Sequence, residues 1–213
     1  MPRLTSSSAP VRTRSGPDWN FETAIRAKGF TRICGADEAG RGPLAGPVVC
    51  AAVILDPSRI PDGLDDSKAL SEAARERMLN ALVKVAEIKV QIVEPVEIED
   101  KNILWASLAG MARATAELSA GYALIDGNRL PPSLPCPGEA VVKGDARSLS
   151  IAAASVVAKV TRDRLMVEAD GRFPGYGFAQ HKGYPTRAHI DALERLGPCP
   201  IHRRGFGPVS TLL

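Results

Sequence analysis

The sequence predicts an α/β domain built on one mixed sheet of five strands flanked by helices. Three observations carry this reading. Short apolar runs alternate with longer stretches of helical period along 213 residues. The first two strands are joined by a tight glycine-rich link rather than by a helix, so the sheet need not be all parallel. There is no internal repeat, and the length suits one domain with a small appendage.

The elements follow in chain order. FETAIRAKGF spells one short helix, and the ordered domain opens between Asp18 and Gly29. Residues 31–36 are partly β-branched and bounded by glycines, hence a strand. The run Pro47–Leu55 (PVVCAAVIL) is almost unbroken apolar, as in a strand buried on both faces. After the polar loop PDGLDDSKAL, Ser71 caps a helix that opens with Glu72 and carries Ala74, Met78, Leu82 and Val85 as its inner stripe. In EIKVQIVE the alternation of Ile88, Val90 and Ile92 predicts a half-exposed strand with those three inward, ended by Pro95. A long helix then runs to about Leu118, with Leu104, Leu108, Met111 and Thr115 on one face. Tyr122–Asp126 (YALID) and Ala140–Val142 are the remaining strands. Ser150–Val167 is a helix rich in Ala and Val, and a last helix spans about Thr186 to Leu196.

Composition sets limits. A chain this long buries roughly 70% of its unfolded surface, so no disulfide or zinc staple is needed. The balance of 27 Lys+Arg against 24 Asp+Glu, a net +3, is too even to identify a nucleic-acid partner by itself. No window is apolar enough to span a membrane. Cys34, Cys50, Cys136 and Cys199 form no CxxC, which fits a reducing, cytoplasmic compartment. Residues 1–17 carry Arg3, Arg12 and Arg14 and no acid, and read as a disordered basic arm. A transit peptide shares that composition, but no amphipathic stripe is present, and no apolar segment marks a secretory signal.

The acids at strand ends carry the chemistry. Asp37 and Glu38 end the first strand, Asp126 ends the fourth, and Asp145 follows the fifth. Loops at strand ends line the ligand crevice of an open α/β sheet. Two carboxylates about 4 Å apart repel by roughly 4 kcal/mol at an effective dielectric of 20. A cluster of four therefore calls for protons or cations, and hard divalent ions in a pair suit phosphoryl chemistry. A lone strand-end Asp is usually a turn former or helix cap. Adjacent strand residues also point to opposite faces, so Asp37 and Glu38 share a metal only if the glycines after them let the chain twist.

Gly40-Arg41-Gly42-Pro43-Leu44-Ala45 matches G-x-G-x-x-A, but a strand rather than a helix follows, which argues against a dinucleotide site. What remains is a turn whose backbone can approach a sugar or phosphate closely. Ser67, Lys68, Lys143, Lys159, Arg162, Arg164, His181 and Lys182 supply polar groups of the kind that meet phosphates, and Tyr184 offers an aromatic face. His181, His189 and His202 have no metal-ligand spacing and read as polar or packing residues.

GADEAGRGPLAGPVV, DDSKAL, LIDGNR, VVKGD, IAAASVVAKVTRD, YGFAQHKGYPT and HRRGFGPV, in that order over residues 31–209, together resemble the ribonuclease HII family, the bacterial type 2 ribonucleases H. The resemblance implies the ribonuclease H fold with a small helical C-terminal part over residues 18–213. It also implies a monomeric endonuclease that cuts RNA in RNA–DNA hybrids and nicks duplex DNA 5′ of an embedded ribonucleotide, leaving 3′-hydroxyl and 5′-phosphate ends by two-metal-ion catalysis with Mg²⁺ or Mn²⁺. Asp37, Glu38, Asp126 and Asp145 match the family's metal-holding carboxylates. Gly40, Arg41 and Gly42 match the turn whose backbone reads the 2′-hydroxyl, the group that separates RNA from DNA. Tyr184 matches the tyrosine that packs on the following deoxyribose. Ser67, Lys68, Lys143 and Lys182 lie in motifs that resemble backbone-binding segments. The basic arm is longer than the family core requires, and with no QxxLxxFF-like tail after GFGPV no clamp contact is expected through the C-terminus. A noncatalytic nucleic-acid-binding module is the alternative; it calls for a missing carboxylate, and all four are present.

Overall fold

A computed structural model describes residues 16–213. Of the expected basic arm, residues 1–15 lie outside them. The sheet contains β1 (Ile33–Ala39), β2 (Val48–Leu55), β3 (Ala86–Val93), β4 (Tyr122–Asp126) and β5 (Gly138–Val141) in the order β3-β2-β1-β4-β5. The neighbours β1/β2 and β2/β3 are antiparallel, and β1/β4 and β4/β5 are parallel. The sheet is thus mixed, and β1 sits at its centre.

Helices cover both faces. On one lies α3 (Pro95–Glu117), packed on Cys34, Ala36, Val48, Cys50 and Ile125. On the other lie α2 (Glu72–Leu82) and α4 (Leu149–Arg172), which enclose Val49, Ala51 and Val53. All eight residues of β2 are buried, as its unbroken apolar run requires. Gly35 allows α4 to lie directly on β1, because a Cβ there would stand 2.1 Å from the Ser150 carbonyl carbon.

Caps mark the helix starts. Ser71 accepts from the Ala74 N–H, and Ser148 accepts from the Ile151 N–H. The short α1 (Asn20–Arg26) is tied to the start of α4 by Glu22, which accepts from Ser148 Oγ at 2.6 Å and from the Ser150 N–H at 3.0 Å. The C-terminal part is α5 (Phe178–His181), α6 (Arg187–Leu196) and α7 (Gly207–Ser210).

Three expectations change. β1 runs on through Glu38 to Ala39, so Asp37 and Glu38 belong to the strand itself. Ile92 is 44% exposed and Val93 is buried instead, because β3 is an edge strand whose end packs under α3. The long helix also breaks at Asn102 (φ 62°, ψ 163°), whose Oδ1 accepts from Leu104 N at 3.0 Å and caps the second segment.

Candidate active site

The sheet register brings the first acids together. Ala36 of β1 pairs with Ile125 of β4, so the next step along both strands sets Asp37 beside Asp126, roughly 4.8 Å away in the ladder direction. Asp37 turns toward α4, where the nearby Ser155 hydroxyl favours its charged form, and its Oδ1 accepts the Glu38 N–H at 2.7 Å. Glu38 turns toward α3 and lines a narrow pocket with Arg41, Ser107, Asp126 and Arg129. The two side chains thus reach toward different helices, as strand alternation leads one to expect, while the Glu38 charge is still felt at Asp37.

Asp145 arrives from a different backbone. Lys143 adopts a left-handed conformation (φ 56°) and opens a 3-10 turn, Gly144–Ala146. That turn is pinned to β4, because Asp126 Oδ1 accepts the Gly144 N–H at 2.7 Å. Asp145 is buried beneath Lys68, whose Nζ lies 2.6 Å from its Oδ2.

The electrostatics describe carboxyls in want of positive charge. Burial pushes the Asp37 carboxyl well above the usual range, and the charges of Glu38 and Asp126 push the same way. Burial also raises Glu38 against the pull of Arg41, whose Nη1 is 3.2 Å from Oε1. Asp126 is raised by burial and then by Asp145. For Lys68, burial lowers the pKa, but the hydrogen bond and charge of Asp145 outweigh it and the net shift is upward. As the side chains stand, no three His, Cys, Asp or Glu among the described residues converge tightly enough to hold a metal ion. Lys68 occupies Asp145 and Arg41 occupies Glu38 instead. The donor set nevertheless fits a hard divalent cation: all four groups are carboxylates, and Asp37, Glu38 and Asp126 are raised first by burial and then by the charge of neighbouring acids.

The candidate substrate residues lie beside this cluster. Arg41 and Gly42 are exposed, and a Cβ on Gly42 would stand 3.7 Å from Tyr184 Cε1, so turn and ring are neighbours. Tyr184 is 41% exposed. Lys143 is exposed, whereas Lys182 (φ 52°) folds its ammonium back onto the Ala179 carbonyl. Ser67 is buried, its Oγ 2.8 Å from Ser155 Oγ, so its hydroxyl stands behind Asp37 rather than on the surface. Three basic residues of α4 are committed elsewhere. Lys159 pairs with Asp163 at 2.7 Å, Arg164 pairs with Glu76, and Arg162 is buried.

Three features escape a reading of sequence. Ser155, in the Ala-rich helix, is the hydroxyl that meets Asp37. Arg203 is buried, and its guanidinium donates to the carbonyls of Gly40, Arg41 and Gly46. The separation of some 160 residues leaves no local signal for that contact. The three histidines, read singly as packing residues, form one buried chain beneath the Tyr184 loop. His181 Nδ1 accepts from Gly183 N at 3.1 Å, His189 Nδ1 meets the Tyr184 carbonyl at 3.0 Å, and His189 Nε2 lies 3.1 Å from His202 Nε2. No helix among the described residues is long and apolar enough to cross a membrane.

Known proteins resemble this chain in sequence and in fold. The profile of the family described as Ribonuclease HII matches residues 34–209. A ribonuclease HII of Maricaulis maris is 57% identical over 184 residues, covering 85% of this chain and 84% of the relative. Among solved structures, the ribonuclease H2 of Pyrococcus horikoshii superposes with a TM-score of 0.73 at 25% identity, covering 85% of this chain and 97% of that one. The RNase HII of Archaeoglobus fulgidus, solved in complex with PCNA, gives 0.74 at 26% identity, covering 83% and 96%.

Proposed function

The chain belongs to the ribonuclease HII family, endonucleases of RNA–DNA hybrids, and we propose that it also nicks duplex DNA on the 5′ side of a single embedded ribonucleotide, leaving a 3′-hydroxyl and a 5′-phosphate. One observation carries this reading: the acids, Asp37 and Asp145 buried and Glu38 and Asp126 partly so, lie beside a turn exposed at Arg41 and Gly42 that abuts an exposed tyrosine ring. A phosphodiester can then sit over the acids while the flanking sugars are tested by the turn and the ring.

Asp37, Glu38, Asp126 and Asp145 are the residues that would hold Mg²⁺ or Mn²⁺. Such an ion, when bound, supplies a water of lowered pKa and balances charge on the phosphoryl oxygens. The chain's own residues do the rest. The N–H groups of the 40–42 turn face the ribose and read its 2′-hydroxyl. The ring of Tyr184 packs on the next sugar and leaves no room for a second hydroxyl. Lys68, Lys143 and Lys182, carried beside Ser67 and the loops that flank the acids, set positive charge along the strand's phosphates. Lys68 releases Asp145 as the site becomes loaded and turns to the substrate. No side-chain nucleophile is required. The four free cysteines suit a reducing cytoplasm, where the enzyme acts as a monomer.

The test uses an end-labelled DNA duplex with one ribonucleotide, incubated with Mg²⁺, Mn²⁺ or EDTA. One nick 5′ of the ribonucleotide, lost in EDTA and absent on all-DNA duplex, is the expected result. Folded protein that leaves this duplex intact with either ion would overturn the reading.

A further inference from the structure

Two arginines have no part in the proposed catalysis and are the largest fully buried side chains among the described residues: Arg203 at 0% and Arg162 at 1% exposure. Buried charge is costly unless paired, and a carboxylate is its usual partner. Here every hydrogen bond from either guanidinium goes to a main-chain carbonyl. Arg203 donates to Gly40 at 2.6 Å, to Arg41 at 3.0 Å and to Gly46 at 2.8 and 3.0 Å. Arg162 donates to Pro47 at 3.0 Å, to Ala45 at 3.2 Å and, across to the other loop, to Lys182 at 3.0 Å.

The consequence follows from peptide geometry. In a trans peptide the carbonyl of one residue and the N–H of the next point in opposite directions. Arg203 draws the Gly40 and Arg41 carbonyls inward, so the Arg41 and Gly42 N–H groups are turned outward to the open face. Neither N–H has an acceptor among the described residues. Gly40 has φ +97°, and the space its Cβ would take is filled by Arg162, whose Nε would lie 1.9 Å away. Arg162 then reaches the loop that carries Tyr184, with its guanidinium carbon 5.8 Å from the ring centroid. The Leu44 N–H to Gly183 carbonyl bond at 2.8 Å runs alongside.

We infer that Arg203 and Arg162 are positioning residues: Arg203 aims the two N–H donors of the 40–42 turn, and Arg162 sets the gap between that turn and Tyr184. The inference rests on the function proposed above. It assigns the choice of an RNA–DNA junction to side chains that touch no substrate.

The experiment measures kcat and KM on two substrates, a duplex with one embedded ribonucleotide and an uninterrupted RNA–DNA hybrid. It compares the wild type with Arg162→Lys, Arg203→Lys and the distant core variant Leu82→Ala. An ammonium cannot span the carbonyls that a guanidinium fork reaches. Arg162→Lys is expected to lower the ratio of kcat/KM, single ribonucleotide over hybrid, at least tenfold. Arg203→Lys is expected to lower kcat at least tenfold on both substrates with KM within threefold. Mn²⁺ binding by calorimetry should stay within twofold in both variants. Leu82→Ala should lose stability and leave the ratio unchanged. A ratio in Arg162→Lys within twofold of wild type, or losses that simply follow thermal stability as in Leu82→Ala, would overturn the inference. Should Arg203→Lys not fold, Arg162→Lys decides, or Arg162→Gln, which keeps a donor for the Lys182 carbonyl. A wild type that leaves the single-ribonucleotide duplex uncut sinks the proposed function instead, so the two failures are distinct.

Discussion

Lys68 Nζ lies 2.6 Å from Asp145 Oδ2, with the lysine side chain 77% exposed and the aspartate buried. The resting site therefore carries its own cation on one of the acids expected to hold a metal. A divalent ion held by Asp145, as proposed above, would have to displace it. The competition is mild, because an ion pair with so exposed a lysine is worth about 0.2–1 kcal/mol.

Removing that competitor gives the first prediction. Lys68→Met is expected to tighten Mn²⁺ binding to the free enzyme by about 1.4- to fivefold, since 1.4 kcal/mol corresponds to tenfold. Calorimetric titration without nucleic acid measures it. Unchanged or weaker binding would mean that Asp145 does not take part in holding the ion.

Burying Asp37 as a carboxylate costs stability. Asp37→Asn keeps an Oδ1 acceptor for the Glu38 N–H and removes a charge whose burial is opposed by Glu38 and Asp126. In EDTA its melting midpoint should rise by about 2–4 °C, the scale of 1 kcal/mol for a domain of this size. Asp145→Asn should leave the fold intact. Both variants should lose at least about a hundredfold in rate, as when an electrostatic stabiliser is removed from an active site. Circular dichroism and single-turnover cleavage together check this, and full activity in Asp145→Asn would remove Asp145 from the metal site.

The glycine turn separates a folding requirement from a recognition requirement. Gly40→Ala forces a side chain into φ +97° and onto the Arg162 guanidinium, and should lower the melting midpoint by several degrees. Gly42→Ala meets only Tyr184 Cε1 at 3.7 Å, an ordinary contact, so stability should hold while the added methyl narrows the gap next to the ring. Nicking at a single ribonucleotide is expected to fall at least tenfold in both. Equal melting midpoints for the two variants would contradict the geometry.

Acid should loosen the Tyr184 loop through the histidine chain. Every ring nitrogen that accepts a bond there faces a donor: Gly183 N–H at His181 Nδ1, Cys199 N–H at His202 Nδ1, and the His202 ring at His189 Nε2. Protonation sets donor against donor. Burial lowers His189, and burial with the neighbouring His189 lowers His202 to about 4. The folded pKa is below the ordinary 6.5, so between pH 6.5 and about 4 the unfolded chain binds more protons than the folded one. Stability must therefore fall as pH drops through that window and level off below it. Melting curves across pH 4–7 test this. His202→Asn, which keeps an acceptor for the Cys199 N–H, should show a shallower decline than wild type; an equal slope would place the pH dependence elsewhere.

Much of the architecture was legible because it is local. The all-apolar PVVCAAVIL could only be a strand covered on both sides, and Ser71, Thr186 and the YALID run mark their elements by caps and period. The acids stood out in the sequence because each follows an apolar run, toward the end of a strand. The misreadings also have local causes. Ile92 shares the alternation of Ile88 and Val90, but alternation does not say where an edge strand stops being covered. Asn102 interrupts a helical period without interrupting its apolar stripe, because its own side chain recaps the next turn. Arg162 on an Ala-rich helix reads as a group that could meet a phosphate, and only the fold shows that the carbonyls of two distant loops surround it.

The order of residues alone determined a five-strand mixed α/β domain, the four carboxylates, the glycine turn and the family to which they belong. Those properties depend on periodicity, caps and motif spacing, which act over a few residues at a time. Tertiary structure alone decided which acids face α4 and which face α3, that Lys68 rests on Asp145, that Ser67 and Ser155 stand behind Asp37, and that Arg203 reaches back to the turn at Gly40. Each of these is a contact between segments far apart in the chain, selected by burial and by the need to satisfy every enclosed polar group. That constraint exists only once the sheet has closed around β1.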